Sequence, residues 1–287
     1  MDRKLSRIVD RARENKMSGA SDITLAAAEG LEDEIGLGRF SEADISEFAI
    51  ALVRSQPNMG SVWNLGNDIL LSSPNKESVL DILKRTVKHH ESAPSRVGEN
   101  AAIALKDSVV VTNSSSRAVS EAIVIAAQKS KVSVLVPESR PMREGLEFAK
   151  RLAALDIEVT VFGDASLSRA VARADVAIVG SDAVTNSSII GKVGLLNLVL
   201  SSHEFGIDCY VCADSSKFAP IRLAEDARPA DEIVSDLPED VHVENVYFED
   251  VPLQRFKWIV TESGMTTPSG ASDKVSGIKV AEELKAL

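Results

Sequence analysis

The chain has 287 residues, 44% of them apolar and 26% charged, with a formal net charge of −11. That length suits one large or two modest domains around a buried core, and the acidic total argues against a nucleic-acid-coating surface while leaving room for a local basic pocket. No apolar run reaches the roughly 18 residues that span a bilayer, and the start, Met1-Asp-Arg-Lys-Leu-Ser, has no apolar signal-type stretch; a cytoplasmic protein with neither membrane nor direct nucleic-acid partner is expected.

Residues 1–100 read as a helical domain with no strand signal. Ser21-Asp-Ile-Thr-Leu-Ala-Ala-Ala opens a helix with Ser21 or Asp22 available as N-cap, and 41–54 places apolar residues at helical spacing. Pro57, Gly60 and Pro74 punctuate the stretch. A helix is predicted over 78–92, a turn at Pro94 and Gly98, and a further helix over 97–105.

Near residue 107 the pattern changes. Apolar strand-like runs at 108–112, 132–136, 158–162, 176–179, 208–213 and 258–261 alternate with helix-like runs at 117–129, 142–155, 166–173 and 193–205. This alternation is the signature of a mostly parallel sheet covered on both faces. The expected fold class is therefore α/β: an N-terminal helical domain followed by a Rossmann-like domain over 101–287. Residues 219–256, rich in Pro, Asp and Glu, read as a long irregular excursion before the last strand. The cysteines, Cys209 and Cys212, are spaced as CxxC but lie within one predicted strand, where an offset of three puts them on opposite faces, so a redox pair is not expected.

In an open parallel sheet the loops after the strands line one edge, where ligands bind. After the first strand comes Thr112-Asn-Ser-Ser-Ser-Arg117, either a plain N-cap cluster or an anion site at a helix N-terminus. After the second comes Pro137-Glu-Ser-Arg-Pro141, where Glu138 and Arg140 are either a solvated pair or ligand contacts. Gly163-Asp-Ala165 follows the third strand. Ser181-Asp182 follows the fourth, with Thr185-Asn-Ser-Ser188 and Gly191-Lys-Val-Gly194 close behind, and Asp214-Ser-Ser-Lys-Phe218 follows the fifth. Acids, hydroxyls and the cations Arg140, Lys192 and Lys217 thus converge on one edge. The expected ligand is small, polyhydroxylated and phosphorylated. No GxGxxG and no GxxxxGK[ST] is present. His89, His90, His203 and His242 have no ligand spacing, so neither a metal nor another cofactor is expected.

Five of these segments, 110–119, 137–141, 179–184, 191–194 and 214–218, occur in an order that resembles the family of the alpha, beta and delta regulatory subunits of translation initiation factor 2B. Its superfamily includes ribose-1,5-bisphosphate isomerase and methylthioribose-1-phosphate isomerase. Ser18-Gly-Ala-Ser21, Gln56-Pro-Asn-Met-Gly-Ser-Val-Trp-Asn-Leu65 and Ile259-Val-Thr-Glu-Ser-Gly-Met-Thr-Thr-Pro268 also match, so the likeness covers nearly the whole chain. The resemblance implies a helical domain, a Rossmann-like domain that dimerises, a homodimer or higher homo-oligomer, and possible contact with initiation factor 2 or other translation components. For the isomerase branch it implies a catalytic Cys and Asp. The Asp falls on Asp182; the Cys position is best matched by Ser114, so the thiol is absent. An Arg before the early Gly-Ala falls on Ser18, and the Arg of an Arg-Pro-Thr stretch falls on Gln56.

The candidate catalytic residues are therefore Asp182 and Ser114. The candidate ligand-binding residues are Ser18, Gly19, Ala20, Asn113, Ser115, Ser116, Glu138, Arg140, Lys192 and Lys217. Proton transfer between C1 and C2 of an open-chain sugar needs an acid and a base near physiological pKa. A thiol, at about 8.5 unperturbed, can be tuned into that range; a serine hydroxyl cannot without a strong base beside it. The expectation is a ligand-binding relative of the initiation factor subunits, with an aldose–ketose isomerase of a sugar 1-phosphate as the alternative.

Overall fold

The computed structural model describes residues 1–38, 40–72, 75–225, 227–238 and 240–285. Its first part is helical, as the periodicity requires: α1 (Arg3–Glu14), α2 (Ala20–Leu37), α3 (Glu42–Ser55), α4 (Gly60–Leu71) and α5 (Lys76–Ala102). Local chemistry fixes several starts. Ser41 and Asp44 form a reciprocal capping box on α3, and the Asn75 side chain accepts from the Ser78 N–H at 3.0 Å to cap α5. The start of α2 differs from expectation. Gly19 is its N-cap, without a side-chain cap bond, and Ser21 is buried inside the helix.

The expected turn at Pro94 and Gly98 does not form. One helix runs through both residues, each of them buried. Proline breaks the bond to the carbonyl four residues back, but packing of α5 on the sheet side holds the helix together. The first part of α5 gives Val79, Ile82 and Leu83 to the core of the helical half, and its last turns give Val97, Ala101 and Ala102 to a core on one face of the sheet. Pro74 lies outside the described residues.

The second part follows in the order β1 (Val109–Val111), α6 (Arg117–Ala127), β2 (Ser133–Pro137), α7 (Glu144–Ala153), β3 (Glu158–Phe162), α8 (Leu167–Val171) and β4 (Val176–Gly180). Then come β5 (Ala183–Val184), β6 (Ser188–Lys192), α9 (Leu195–Phe205), β7 (Asp208–Cys212), β8 (Phe248–Pro252), β9 (Trp258–Thr261), β10 (Gly264–Thr266) and α10 (Pro268–Ser276). Among the described residues the main sheet has seven strands in the order β3-β2-β1-β4-β7-β9-β10. All its pairings are parallel except that of β10 with β9. The architecture is α/β, a helical N-terminal part followed by a Rossmann-like unit.

Alternation along the strands divides the packing between two faces. Val111, Ala177, Val179, Val211 and Ile259 meet α8, α9 and α10, while Val110, Val134, Val136, Ile178 and Val260 meet α5, α6 and α7. Cys209 sits in the first of these cores and Cys212 in the second. Burial pushes both thiols up, Cys209 in company with Asp208 and Cys212 to about 12, so neither is a ready nucleophile.

Two segments read as loops contain strands. Residues 183–192 form the β5–β6 hairpin, and β8, within the stretch expected to be irregular, pairs antiparallel with β6 to complete a three-stranded sheet. These strands are short, and β6 ends in Gly191-Lys192, so their pairing depends on distant partners more than on local pattern. Among the described residues no helix is long and apolar enough to cross a membrane.

The two parts meet closely at Gly60. Its N–H donates to the Asp182 carbonyl at 2.9 Å, and a Cβ there would lie 2.3 Å from the Lys217 carbonyl oxygen. Asn64, one turn on, donates from Nδ2 to the Ser216 and Phe218 carbonyls at 2.6 and 2.8 Å. Gly60→Ala is expected to lower stability by about 1–3 kcal/mol, because the backbone it would strike cannot rotate away; urea denaturation measures this, and an unchanged midpoint would contradict the close approach.

Candidate functional site

The parallel strands β3-β2-β1-β4-β7-β9 follow the doubly wound order whose direction reverses between β1 and β4. The crevice outside the carboxyl ends of those two strands is where such sheets bind ligands. Here it opens into a cavity of about 480 Å³, lined by the loops after β1, β4 and β7 and walled on the far side by residues 17–22 at the start of α2.

Asp182 lies partly exposed at this crevice. Its backbone is fixed on both sides: the N–H donates to the Ile190 carbonyl at 2.8 Å and the carbonyl accepts from Gly60. Desolvation pushes its carboxyl above the ordinary carboxylate range, opposed by the ammonium groups of Lys217 and Lys192 and by the Ala20 N–H. The start of α2 has no side-chain cap, and its Ala20 N–H is directed at the Asp182 carboxylate.

Lys217 is buried and donates from Nζ to the Ser181 carbonyl at 2.7 Å, which leaves two ammonium protons for other acceptors. Asn113 is buried and ties the β1 loop to β6 by donating to the Lys192 carbonyl at 3.0 Å. Ser116 is the N-cap of α6, its Oγ accepting from the Val119 N–H. Ser115 Oγ accepts from Arg151 Nη2 at 2.7 Å. Ser114 Oγ donates to Glu144 Oε1 at 2.9 Å, and Lys192 Nζ lies 3.0 Å from the same oxygen. Ser18 accepts from Asn15 Nδ2 at 3.0 Å beside Gly19 and Ala20 on the α2 wall. Arg117 and Asp22, 3.0 Å apart, join α6 to α2 alongside the cavity.

A smaller lobe of about 80 Å³ adjoins this cavity and shares Ser18, Gly19, Ser114, Ser115, Asp182 and Lys192 with it. Tyr247 lines the lobe, with Lys192 Nζ 4.7 Å and Arg228 Cζ 4.4 Å from its ring centre. Its hydroxyl donates to Glu232 Oε2 at 2.7 Å, and Glu232 in turn pairs with Lys16 at 2.7 Å. The irregular segment thus reaches back over the site.

The structure gathers Ser18, Gly19, Ala20, Asn113, Ser114, Ser115, Ser116, Asp182, Lys192 and Lys217 around these two lobes. Glu138 and Arg140 stand outside both linings. The Arg140 N–H donates to Asp164 at 2.7 Å and its guanidinium to the Ile233 carbonyl at 3.1 Å, while Glu138 lies 3.9 Å from Arg143. Sequence reasoning left out Glu144, Arg151 and Tyr247. Glu144 had a signal, since it stands in the first turn of the helix after β2, at the same sheet edge. Tyr247 had none, because a long irregular segment brings it there. Among the described residues no group of His, Cys, Asp and Glu side chains gathers in the number that would hold a metal.

Asp214, which also lines the cavity, belongs to a second polar pair. Asp214 is buried and hydrogen-bonded to His89 Nε2 at 2.9 Å and to Ser216. Burial opposes its charge, but His89, Lys217 and Ser216 hold the carboxyl well below the usual range. The Asp214 hydrogen bond raises His89 in turn. Its neighbour His90, buried with Nδ1 unpartnered among the described residues, is pushed down to about 4 by desolvation.

Comparison with known proteins places these features in a lineage. The chain belongs to the Initiation factor 2 subunit family, whose sequence profile matches residues 16–268. It is 30% identical to a Pyrococcus horikoshii protein named as a translation initiation factor eIF-2B subunit 2-like protein, over 91% of this chain and 95% of that one. It is 28% identical to a ribose 1,5-bisphosphate isomerase of Archaeoglobus fulgidus, over 91% and 89%. The crystal structure of the Pyrococcus horikoshii OT3 translation initiation factor eIF-2B superposes with a TM-score of 0.83 at 26% identity, covering 93% of this chain and 98% of that chain.

The His89–Asp214 pair gives a signed pH dependence. The His89 value is raised, so its contribution is complete below the ordinary imidazole value of about 6.5 and is lost as pH rises through the elevated one. The Asp214 value is lowered, so its contribution is present above about 3.9 and lost as pH falls. A double-mutant cycle of His89→Gln and Asp214→Asn, followed by urea denaturation, is expected to give a coupling about 1 kcal/mol larger at pH 6 than at pH 9, the difference between a charged and a neutral hydrogen bond. A coupling that grows towards pH 9 would contradict the assignment. His90, buried neutral, contributes the opposite slope, costing stability as pH falls below about 6.5.

Proposed function

We propose that this member of the Initiation factor 2 subunit family binds a small phosphorylated sugar or nucleotide in the β1/β4 crevice and conveys occupancy to a protein partner, without turning the ligand over. The observation that carries the reading is Ser114. At the position where the resemblance puts the isomerase thiol stands a hydroxyl that donates to Glu144 Oε1 at 2.9 Å. A carboxylate, with a reference pKa of about 4, is too weak a base to ionise a serine hydroxyl. The acid of an aldose–ketose pair is thereby missing, while the binding features remain.

Those features suit a phosphate. The α6 N-terminus supplies main-chain donors and the favourable end of a helix dipole, and Arg117, Arg151 and Lys217 line the same cavity. Asp182 and the hydroxyls of the two loops suit the sugar. On this reading the chain is a regulatory subunit, acting as a cytoplasmic homodimer or higher homo-oligomer through its sheet domain, with initiation factor 2 or another translation component as partner.

A second reading has one observation in its favour. The Asp182 carboxyl is pushed upward by desolvation, the direction in which a catalytic base is tuned. Asp182 would then act on a sugar 1-phosphate, with Ser114 or a water supplying the acid.

Calorimetry with a panel of sugar phosphates and nucleoside monophosphates is expected to find at least one ligand. Lys217→Gln should weaken it about tenfold or more, the loss of one charge-assisted contact. A folded protein that binds no member of the panel would sink the reading. In turnover assays, ribose 1,5-bisphosphate and methylthioribose 1-phosphate are expected to remain unchanged; isomerisation that disappears in Asp182→Asn would establish the second reading in its place.

A further inference from the structure

The hydrogen bond between His89 and Asp214 joins two cavities. Asp214 lines the crevice, as do Lys217 and Asp182. His89, on α5, is absent from that lining and instead lines a second cavity of about 350 Å³ with Asn64, Asp68, Arg85 and Ser216. The bond from His89 Nε2 to Asp214 Oδ1, 2.9 Å long, spans from one lining to the other. The two ends differ in access: 24% of the His89 side chain is exposed, against 5% of that of Asp214. Protons therefore reach His89 from outside the crevice.

One proton changes the charge of this pair. With His89 charged, imidazolium and carboxylate sum to zero. A neutral imidazole can keep its Nε2–H and still donate to Asp214, so the contact survives while the pair becomes a net anion. Asp214 is buried, where little water screens its charge. After His89, Lys217 is the cation that acts on it most strongly. The same ammonium acts on Asp182 and donates to the Ser181 carbonyl. An Asp214 charge unanswered by His89 thus falls on the buried cation that the crevice offers to an anion.

We propose that His89 is a positioning residue that makes anion binding in the crevice proton-linked: the crevice holds a phosphate-bearing ligand firmly while His89 is charged and loosens it when His89 gives up its proton. This rests on the ligand-binding reading above and names the regulation of that site. His89 acts through Asp214 and Lys217, not by touching the ligand. The hydrogen bond to Asp214 raises His89 above its ordinary value of about 6.5. An anion in the crevice would raise it further, so affinity is greatest below the value in the free protein and falls as pH climbs through it. The other charges acting on His89 are Glu262, in the turn between β9 and β10, and Arg96 on α5; Asp68 on α4 and Arg85 on α5 share its cavity. His90, beside it, is pushed down to about 4 and stays neutral.

Calorimetric titration of the full chain with ribose 5-phosphate and with sulfate, in the wild type and in His89→Gln at pH 6 and pH 9, tests this. Glutamine keeps an N–H for Asp214 and removes the charge, and any titration of the probe itself cancels in the ratio of the two affinities. The wild type is expected to bind about fivefold tighter or more than the variant at pH 6, the lower end of couplings between distinct sites, and within about twofold of it at pH 9. A ratio that does not change with pH would overturn the inference while leaving ligand binding intact, since a merely structural role gives the same loss at both. Should His89→Gln fail to fold, the imidazole resonances of the wild type decide: saturation with ribose 5-phosphate is expected to move the His89 titration upward, and an unmoved or lowered titration would overturn the inference. Binding of neither probe would overturn it too, and binding of no sugar phosphate or nucleoside monophosphate at all would overturn the reading it rests on as well.

Discussion

The hydrogen bond from the Gly60 N–H to the Asp182 carbonyl joins the helical half to the sheet half at the floor of the crevice between β1 and β4. It forms because Gly60 has no Cβ to strike the Lys217 carbonyl, so α4 can seat its first turn directly on the sheet edge. From that contact Asn64 reaches the Ser216 and Phe218 carbonyls and fixes the loop that carries Asp214 and Lys217. The stretch 56–65 therefore acts as a clamp for the loops that line the cavity, which explains how a helical region with few candidate ligand groups of its own can shape it.

Charge compensation is the second organising constraint. Asp182, Glu144 and Asp214 gather in or under one crevice, and each is answered by a specific cation or donor: Lys217 and the Ala20 N–H, Lys192, and His89. Buried charges are tolerated when so paired and are expensive when not. Two groups depart from full compensation. Asp182 is pushed upward and Glu144 keeps one oxygen unpartnered among the described residues, and both stand on the smaller lobe. Departures from local consistency of this kind concentrate at functional sites.

Most of the sheet was legible because its signal is local. A run such as Val176-Ala-Ile-Val-Gly180 bounded by polar residues reads as a buried strand whatever surrounds it, and the alternation with helices implied parallel pairing and hence a site at the carboxyl edge. The hairpin at 183–192 and the strand 248–252 were not legible, because each strand is stabilised by the other rather than by its own pattern. Local preference favours a turn at Pro94 and Gly98, but burial of this stretch against the sheet half outweighs it. Asp182, Lys192 and Lys217, chosen for their place after strands, line the cavity, whereas Glu138 and Arg140, chosen by the same rule, turn to Arg143, Asp164 and Ile233.

The sequence by itself determined the fold class, the edge of the sheet at which a ligand would sit and the absence of a thiol at position 114, since these depend on periodicity and residue identity alone. The tertiary structure decided which side chains share that edge. It brought Glu144 to Ser114 across 30 residues and Tyr247 to Lys192 from the far end of an irregular segment, and it set Asp182 between β6 and α4. Hydrogen bonds and charge compensation among residues distant in the chain leave no periodic trace, so the partners of a known carboxylate emerge only when the chain is folded around it.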